Sequence, residues 1–334
     1  MTSISKRGPR VIALDSPLAR RAWIAAQIVF VALALWYLGR SLHDQWGGVQ
    51  HDLRALDPRW SGLVLSGVLV FIAYGVLIQT WRLMLRAWNA NLSFADATRI
   101  FFISNLGKYV PGKIWQITAM SAMAERSGVS MVAAAGSSLI VNLVNVITGF
   151  IVVFATGFEV LRAQSVNAPR TALAITVVLV LGAASLPLLL PYVLTIAGRV
   201  LRRPMPSIHI PARALLLAAA GTTAAWILYG VAFAIFCGSL LPERATGGVL
   251  SYIAVFTGSY LVGYLVVAAP GGLGPREAML KQTMPTFGLV AVESQALVIA
   301  FSSRLWLTVL EVLPGLLLLA YSGLRRRPTH DIQP

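Results

Sequence analysis

The sequence predicts an all-α polytopic membrane protein of about eight transmembrane helices, with broken or re-entrant elements near 105–116 and 270–285. Three observations carry this prediction. Of 334 residues, 57% are hydrophobic and only 12% are charged, where a soluble domain carries about 25% charged residues; mean hydropathy is +0.75. Several apolar runs reach the roughly 20 residues that a helical crossing needs. Two glycine- and proline-rich segments interrupt those runs, and both carry cations: Asn105-Leu106-Gly107-Lys108-Tyr109-Val110-Pro111-Gly112-Lys113-Ile114-Trp115-Gln116 and Ala269-Pro270-Gly271-Gly272-Leu273-Gly274-Pro275-Arg276-Glu277.

In chain order, residues 1–21 form a basic, polar segment, read as cytoplasmic. Ala22–Gly39 is the first span. It has the charge pattern of a signal peptide but no small-x-small cleavage site, since the chain continues Trp36-Tyr37-Leu38-Gly39-Arg40. Trp60–Leu85 is the second. Phe94–Glu125 mixes Phe94, Ile100 and Phe101 with Asp96, Arg99 and Lys108, which suits an interfacial helix followed by a broken, partly inserted element. Val132–Phe158, Thr171–Ala197, Ala212–Leu241 and Val249–Ala269 follow as spans. Thr286–Tyr321 would be about 50 Å long as one helix at 1.5 Å per residue, so it reads as two crossings broken near Ser302-Ser303, or as a short re-entrant pair in place of one crossing. The resulting domains are the 1–21 segment, a single 22–323 transmembrane domain and a 324–334 cytoplasmic tail. A Pro-Gly break after the second and sixth spans suggests two four-span halves in the same orientation.

Charge fixes the topology. The formal net charge is +15, with 27 Lys+Arg against 12 Asp+Glu. In a soluble chain this would point to nucleic acid; in an apolar one it marks cytoplasmic loops. Eight crossings put Arg325–Arg327 inside together with both termini, as expected of a multi-pass protein of a bacterial inner membrane. The single cysteine, Cys237, excludes an intramolecular disulfide, and the four histidines are scattered without metal-ligand spacing. No Asp-x-Asp pair, nucleophile elbow or Walker-type phosphate loop occurs. A non-enzyme without metal, cofactor or nucleic-acid partner is expected.

The candidate chemistry sits at the two breaks. Proline removes a backbone donor and glycine weakens a helix, so neither segment continues a regular span. Irregular backbone at membrane depth persists only where it is buried in protein or lines a wet cavity. Lys108 and Lys113 flank the first break beside a restarting helix, which suits phosphate. Asn105 and Gln116 add hydrogen-bonding groups, while Tyr109 and Trp115 also fit as interface anchors. In the second break, Pro270, Gly271, Gly272 and Gly274 permit close approach, Arg276 suits a bidentate phosphate contact, and Glu277 suits an ion pair or the helix dipole. Glu293, Arg304 and Glu311 share one face of the last apolar region if it is continuous. Ionisable groups at that depth usually face the protein interior and pair. Ser138, Asn142, Asn145 and Gly149 make a polar stripe on the third span, which reads either as a headgroup path or as interhelical hydrogen bonding.

At these residues the chain resembles the transmembrane region of lysylphosphatidylglycerol synthases, a broad flippase-like family. The resemblance rests on Gly107-Lys108-Tyr109-x-Pro111-Gly112-Lys113, on Pro270-Gly271-Gly272-x-Gly274-x-Arg276-Glu277 and on Arg304, over roughly Trp60 to Tyr321. Two-domain members join this region to a cytosolic aminoacyltransferase domain, and the membrane part is assigned to moving the modified lipid. The present sequence carries no such domain. The resemblance therefore implies translocation or handling of an anionic or zwitterionic lipid, such as a phospholipid or a polyprenyl-phosphate carrier, and not lysyl transfer. Its alternative is a non-catalytic membrane partner that presents lipid to an envelope glycosyltransferase or lipid-modifying enzyme.

Overall fold

The computed structural model describes residues 58–109, 114–164, 210–241, 246–266 and 269–324, with isolated positions at Trp36, Arg40, His43, Gly47, Leu56 and Val177. The expected spans at 22–39 and 171–197 fall almost wholly outside the described residues, as do 1–21, the tail beyond 324 and the stretch 110–113 that holds Lys113. The described elements are all helical: α1 (Trp60–Ala87), α2 (Phe94–Asn105), α3 (Ile114–Glu125), α4 (Met131–Gln164), α5 (Ala212–Leu240), α6 (Val249–Leu265), α7 (Pro275–Thr286) and α8 (Glu293–Leu324). Short 3-10 turns, Leu106–Tyr109 and Pro270–Gly272, follow α2 and α6. Helices α1, α4, α5 and α8 are long and apolar enough to cross a membrane; α6 is apolar but shorter.

Contacts between the long helices fix their directions. The Arg59 N–H donates to Ser239 O at 2.9 Å and Ser66 Oγ to Ala232 O at 2.6 Å, while Gly221 lies against Thr80. Helices α1 and α5 are therefore antiparallel, and small residues at the seam let their backbones close without any hydrophobic drive from lipid. Helix α4 runs parallel to α5, because Ile140 and Val144 cluster with Ala214 and Ala218, and Thr148 Oγ1 donates to Thr222 Oγ1 at 2.9 Å further along. Helix α6 opposes both, pairing Gly157 with Ala254 and Gly149 with Leu261 on α4, and Phe233 with Tyr252 and Trp226 with Tyr260 on α5.

The remaining helices form two hairpins. Ser93 caps α2 by accepting from Asp96 N at 3.0 Å. The helix ends at Asn105, whose side-chain oxygen accepts from Gln116 Nε2 at 2.5 Å, so α3 returns beside α2. The second hairpin, α6 and α7, is closed at its base by Gly247 N–H donating to Gly288 O at 2.9 Å. Each hairpin follows one of the antiparallel pair α1 and α5. They therefore enter from opposite ends, and their tips meet, with the Tyr109 ring against Gly271. Helix α8 packs on α7 and on α2, as α4 packs on α3 and on α6. A long helix, a hairpin and a long helix are thus repeated with inverted direction.

Two expectations change. The halves are inverted rather than alike in orientation, because α6 is one arm of a hairpin and the true counterpart of α1 is α5. The region 286–321 does not split near Ser302-Ser303: α8 runs unbroken from Glu293, and Ser303 Oγ donates within the helix to Ala300 O at 3.1 Å. A hairpin that returns to its own side plus one crossing ends where three crossings would. The expected breaks near 105–116 and 270–285 are both present.

Candidate functional site

A chamber opens where the hairpin tips meet, walled by α1, α4, α5, α6 and α8. Its cavity volume is about 200 Å³, room for a small polar headgroup but below the roughly 300–1,000 Å³ of pockets that enclose a whole drug-sized ligand.

The second tip is shaped by backbone demands. Gly271 and Gly272 have φ of +57° and +74°, a region that L side chains rarely adopt. A Cβ on Gly272 would sit 3.0 Å from the Gly263 backbone, and one on Gly271 would sit 3.0 Å from Arg304 Nη2. Pro275 then starts α7, where its missing N–H costs nothing. Glu277 Oε2 accepts from Gly274 N at 2.8 Å, and its Oε1 accepts from Arg304 Nη1 at 3.3 Å. The helix start is thus partly filled by the chain's own carboxylate.

The first tip brings Lys108 Nζ and Tyr109 Oη to the same oxygen of Glu311, the tyrosine at 2.9 Å. Both ion pairs join a hairpin to α8, at Arg304 and Glu311. Seven residues separate them, two helical turns, so both face the chamber.

Arg276 stands apart. It is 4% exposed, its Nε has no hydrogen-bond partner among the described residues, and its Nη2 donates to Ser303 Oγ only at a long 3.5 Å. No carboxylate lies within ion-pair distance of it among the described residues. Its guanidinium lies 5.6 Å from the Phe256 ring centroid and 5.9 Å from that of Tyr260, contacts that offset part of the cost of a buried cation. Lys108 and Arg304 pair with Glu311 and Glu277, which leaves Arg276 as the cation without an ion-pair partner among these described residues.

A family model described as Lysylphosphatidylglycerol synthase TM region matches residues 24–315. The chain belongs to that family. Among curated proteins, nothing matches it.

In this member of the lysylphosphatidylglycerol synthase TM-region family, the candidate residues separate by position. Asn105, Lys108, Tyr109, Gln116, Gly271, Gly272, Arg276, Arg304 and Glu311 line the chamber, as do Asn142 and Asn145. Glu277 and Gly274 brace the wall from behind, and Pro270 begins the second tip. Trp115 is 48% exposed and does not line the chamber. Glu293 lies at the far end of α8, paired with Lys281 at 2.7 Å. The polar stripe on α4 divides: Ser138 donates to Ala134 O and Met120 Sδ, and Gly149 receives Trp226 and Leu261, while Asn142 and Asn145 between them reach the chamber. Sequence reasoning missed the aromatic lining, namely Tyr74, Phe101, Trp226, Tyr229, Tyr260 and Tyr264. These lie on apolar helices far apart in the chain, and only the i, i+3 pair Trp226 and Tyr229 and the i, i+4 pair Tyr260 and Tyr264 offered a local signal.

Proposed function

We propose that this protein handles a membrane lipid as a non-catalytic translocase, binding the phosphate-bearing headgroup of an anionic or zwitterionic lipid in the chamber while the acyl or prenyl chains stay in the bilayer. The observation that carries this reading is Arg276, a buried guanidinium on the chamber wall with donor capacity to spare and no carboxylate within ion-pair distance among the described residues. A buried charge without a partner is costly, and a phosphate oxygen would supply the missing acceptor. Membership of a family built around a lipid-modifying synthase supports a lipid over a small solute. Two oppositely directed hairpins that meet at one site also suit a carrier, because inverted repeats place a substrate between two halves that can rock about it.

The test uses proteoliposomes holding fluorescent phosphatidylglycerol or a labelled polyprenyl phosphate. Wild-type protein is expected to bind one of these lipids and move it between leaflets. Arg276→Gln is expected to weaken binding roughly tenfold or more, since a hydrogen bond to a charged group contributes about 1.5–3 kcal/mol. Unchanged binding and movement in both Arg276→Gln and Arg304→Gln would overturn the mechanism. Binding without movement by the wild type would favour the alternative role of presenting lipid to an envelope-biosynthesis enzyme.

A further inference from the structure

The two walls of the chamber differ in chemistry. The α7–α8 wall carries Arg276 and Arg304, with both carboxylates engaged by Arg304 and Lys108. The facing wall, from α2, α3 and α4, carries four carboxamides: Asn105, Gln116, Asn142 and Asn145. Gln116 Nε2 donates to Asn105 Oδ1, which leaves the other two for a ligand. The side chains of Asn142 and Asn145 have no hydrogen-bond partner among the described residues. Asn145 is nevertheless held in place, because its backbone carbonyl accepts from Trp226 Nε1 at 2.9 Å.

We propose, resting on the lipid-headgroup reading above, that the chamber takes a phosphate ester whose headgroup bears free hydroxyls, with the phosphate at Arg276 and the hydroxyls at Asn142 and Asn145. A carboxamide offers two donors and an acceptor oxygen at fixed positions, and a hydroxyl is both donor and acceptor, so the two match. An ammonium headgroup offers only donors and needs acceptors or a free carboxylate. Asn142 and Asn145 each supply one acceptor and two unmatched donors, and Glu277 and Glu311 already hold cations. A second phosphate would need a second unpaired cation on the amide wall, and none is present among its described residues. Amides left facing an apolar or purely cationic headgroup would lose water without replacing it, and that cost is what makes a polar pocket selective against ligands lacking the hydroxyl.

The experiment measures binding to the full chain in nanodiscs. The probes are short-chain phosphatidylinositol and phosphatidylglycerol against phosphatidylmethanol, a phosphodiester of the same charge with no hydroxyl, and glycerol 3-phosphate as a soluble competitor. The hydroxylated lipids are expected to bind at least tenfold more tightly than phosphatidylmethanol, about one hydrogen bond's discrimination. In Asn142→Leu/Asn145→Leu that ratio is expected to fall towards one, whereas Arg276→Gln weakens all three lipids and keeps the ratio. Equal binding of phosphatidylinositol, phosphatidylglycerol and phosphatidylmethanol by the wild type overturns the hydroxyl inference while leaving the headgroup reading in place, and it needs no variant to fold. Absence of binding by all three lipids overturns the hydroxyl inference, and absence of binding by a polyprenyl phosphate as well overturns the headgroup reading. Competition by glycerol 3-phosphate as strong as that of phosphatidylglycerol supports hydroxyl recognition but assigns the site to a soluble phosphate ester.

Discussion

At the third residue of its second arm the first hairpin carries Gln116, and the second hairpin carries Glu277. At the twelfth residue of the long helix that follows, the first repeat has Asn142 and the second has Arg304. The backbone plan is shared and the charges are not. In the second repeat the two positions form an ion pair that fastens the hairpin to α8. In the first, the amides at those positions do not bond to one another: Gln116 turns to Asn105 within its own hairpin and Asn142 faces the chamber. Symmetry of fold thus coexists with division of labour, one wall electrostatic and the other hydrogen-bonding. A charged wall is costly to disturb because its members are buried, and an amide wall is cheap to disturb because solvent in the chamber can replace a lost partner.

The largest expected effect follows from breaking the charged wall. Glu277→Gln leaves Arg304 without its carboxylate at a site where the glutamate is 2% exposed. Removing one partner of a buried pair costs about 3–5 kcal/mol, and because the arginine side chain is 16% exposed the lower figure, about 3 kcal/mol, is expected. Cys237 is fully buried, so its reaction with a thiol dye during heating reports unfolding. The double variant Glu277→Gln/Arg304→Gln is expected to recover most of the loss. An equal loss in the double variant would mean that the glutamate acts through its cap on Gly274 and not through the pair.

A smaller effect separates the two tips. Gly272→Ala forces a side chain into a left-handed conformation, at about 1–2 kcal/mol, and against the Gly263 backbone. Gly107→Ala meets the Gln116 backbone N at 3.0 Å, but Gly107 is not among the glycines with positive φ, so its cost is expected to be less. The same dye assay ranks the two, and equal stabilities would remove the distinction between a tip that needs glycine for its backbone angles and one that needs it only for space.

The sequence showed the breaks themselves because proline and glycine are local signals, and it showed Lys108, Arg276 and Arg304 because charge in an apolar run is conspicuous. It did not show that α6 turns back. Val249–Ala269 is as apolar as a crossing, and what makes it an arm is the close packing of Gly247 on Gly288 and of Gly263 on Gly272, contacts between residues whose spacing carries no periodic signal. Nor did it show the continuity of α8, since a helix of 32 residues looks too long until its flanks are seen to be covered by two different hairpins. Which carboxylate partners Arg304 was not legible in the sequence, because that choice depends on how far the second tip reaches.

The smallest expected effect tests the amide wall from inside the first hairpin. Gln116→Leu removes the donor to Asn105, a residue 6% exposed. A neutral hydrogen bond contributes about 1 kcal/mol, and because Asn105 lines the chamber, water can take the place of the lost donor. A loss of about 1 kcal/mol or less is therefore expected, roughly a third of that for Glu277→Gln at the matching position, and the Gln116→Leu variant should still bind lipid. If the loss instead equals that of Glu277→Gln, the amide pair holds the first tip as firmly as the ion pair holds the second, and the contrast between the two walls lies in their ligands and not in their energetics.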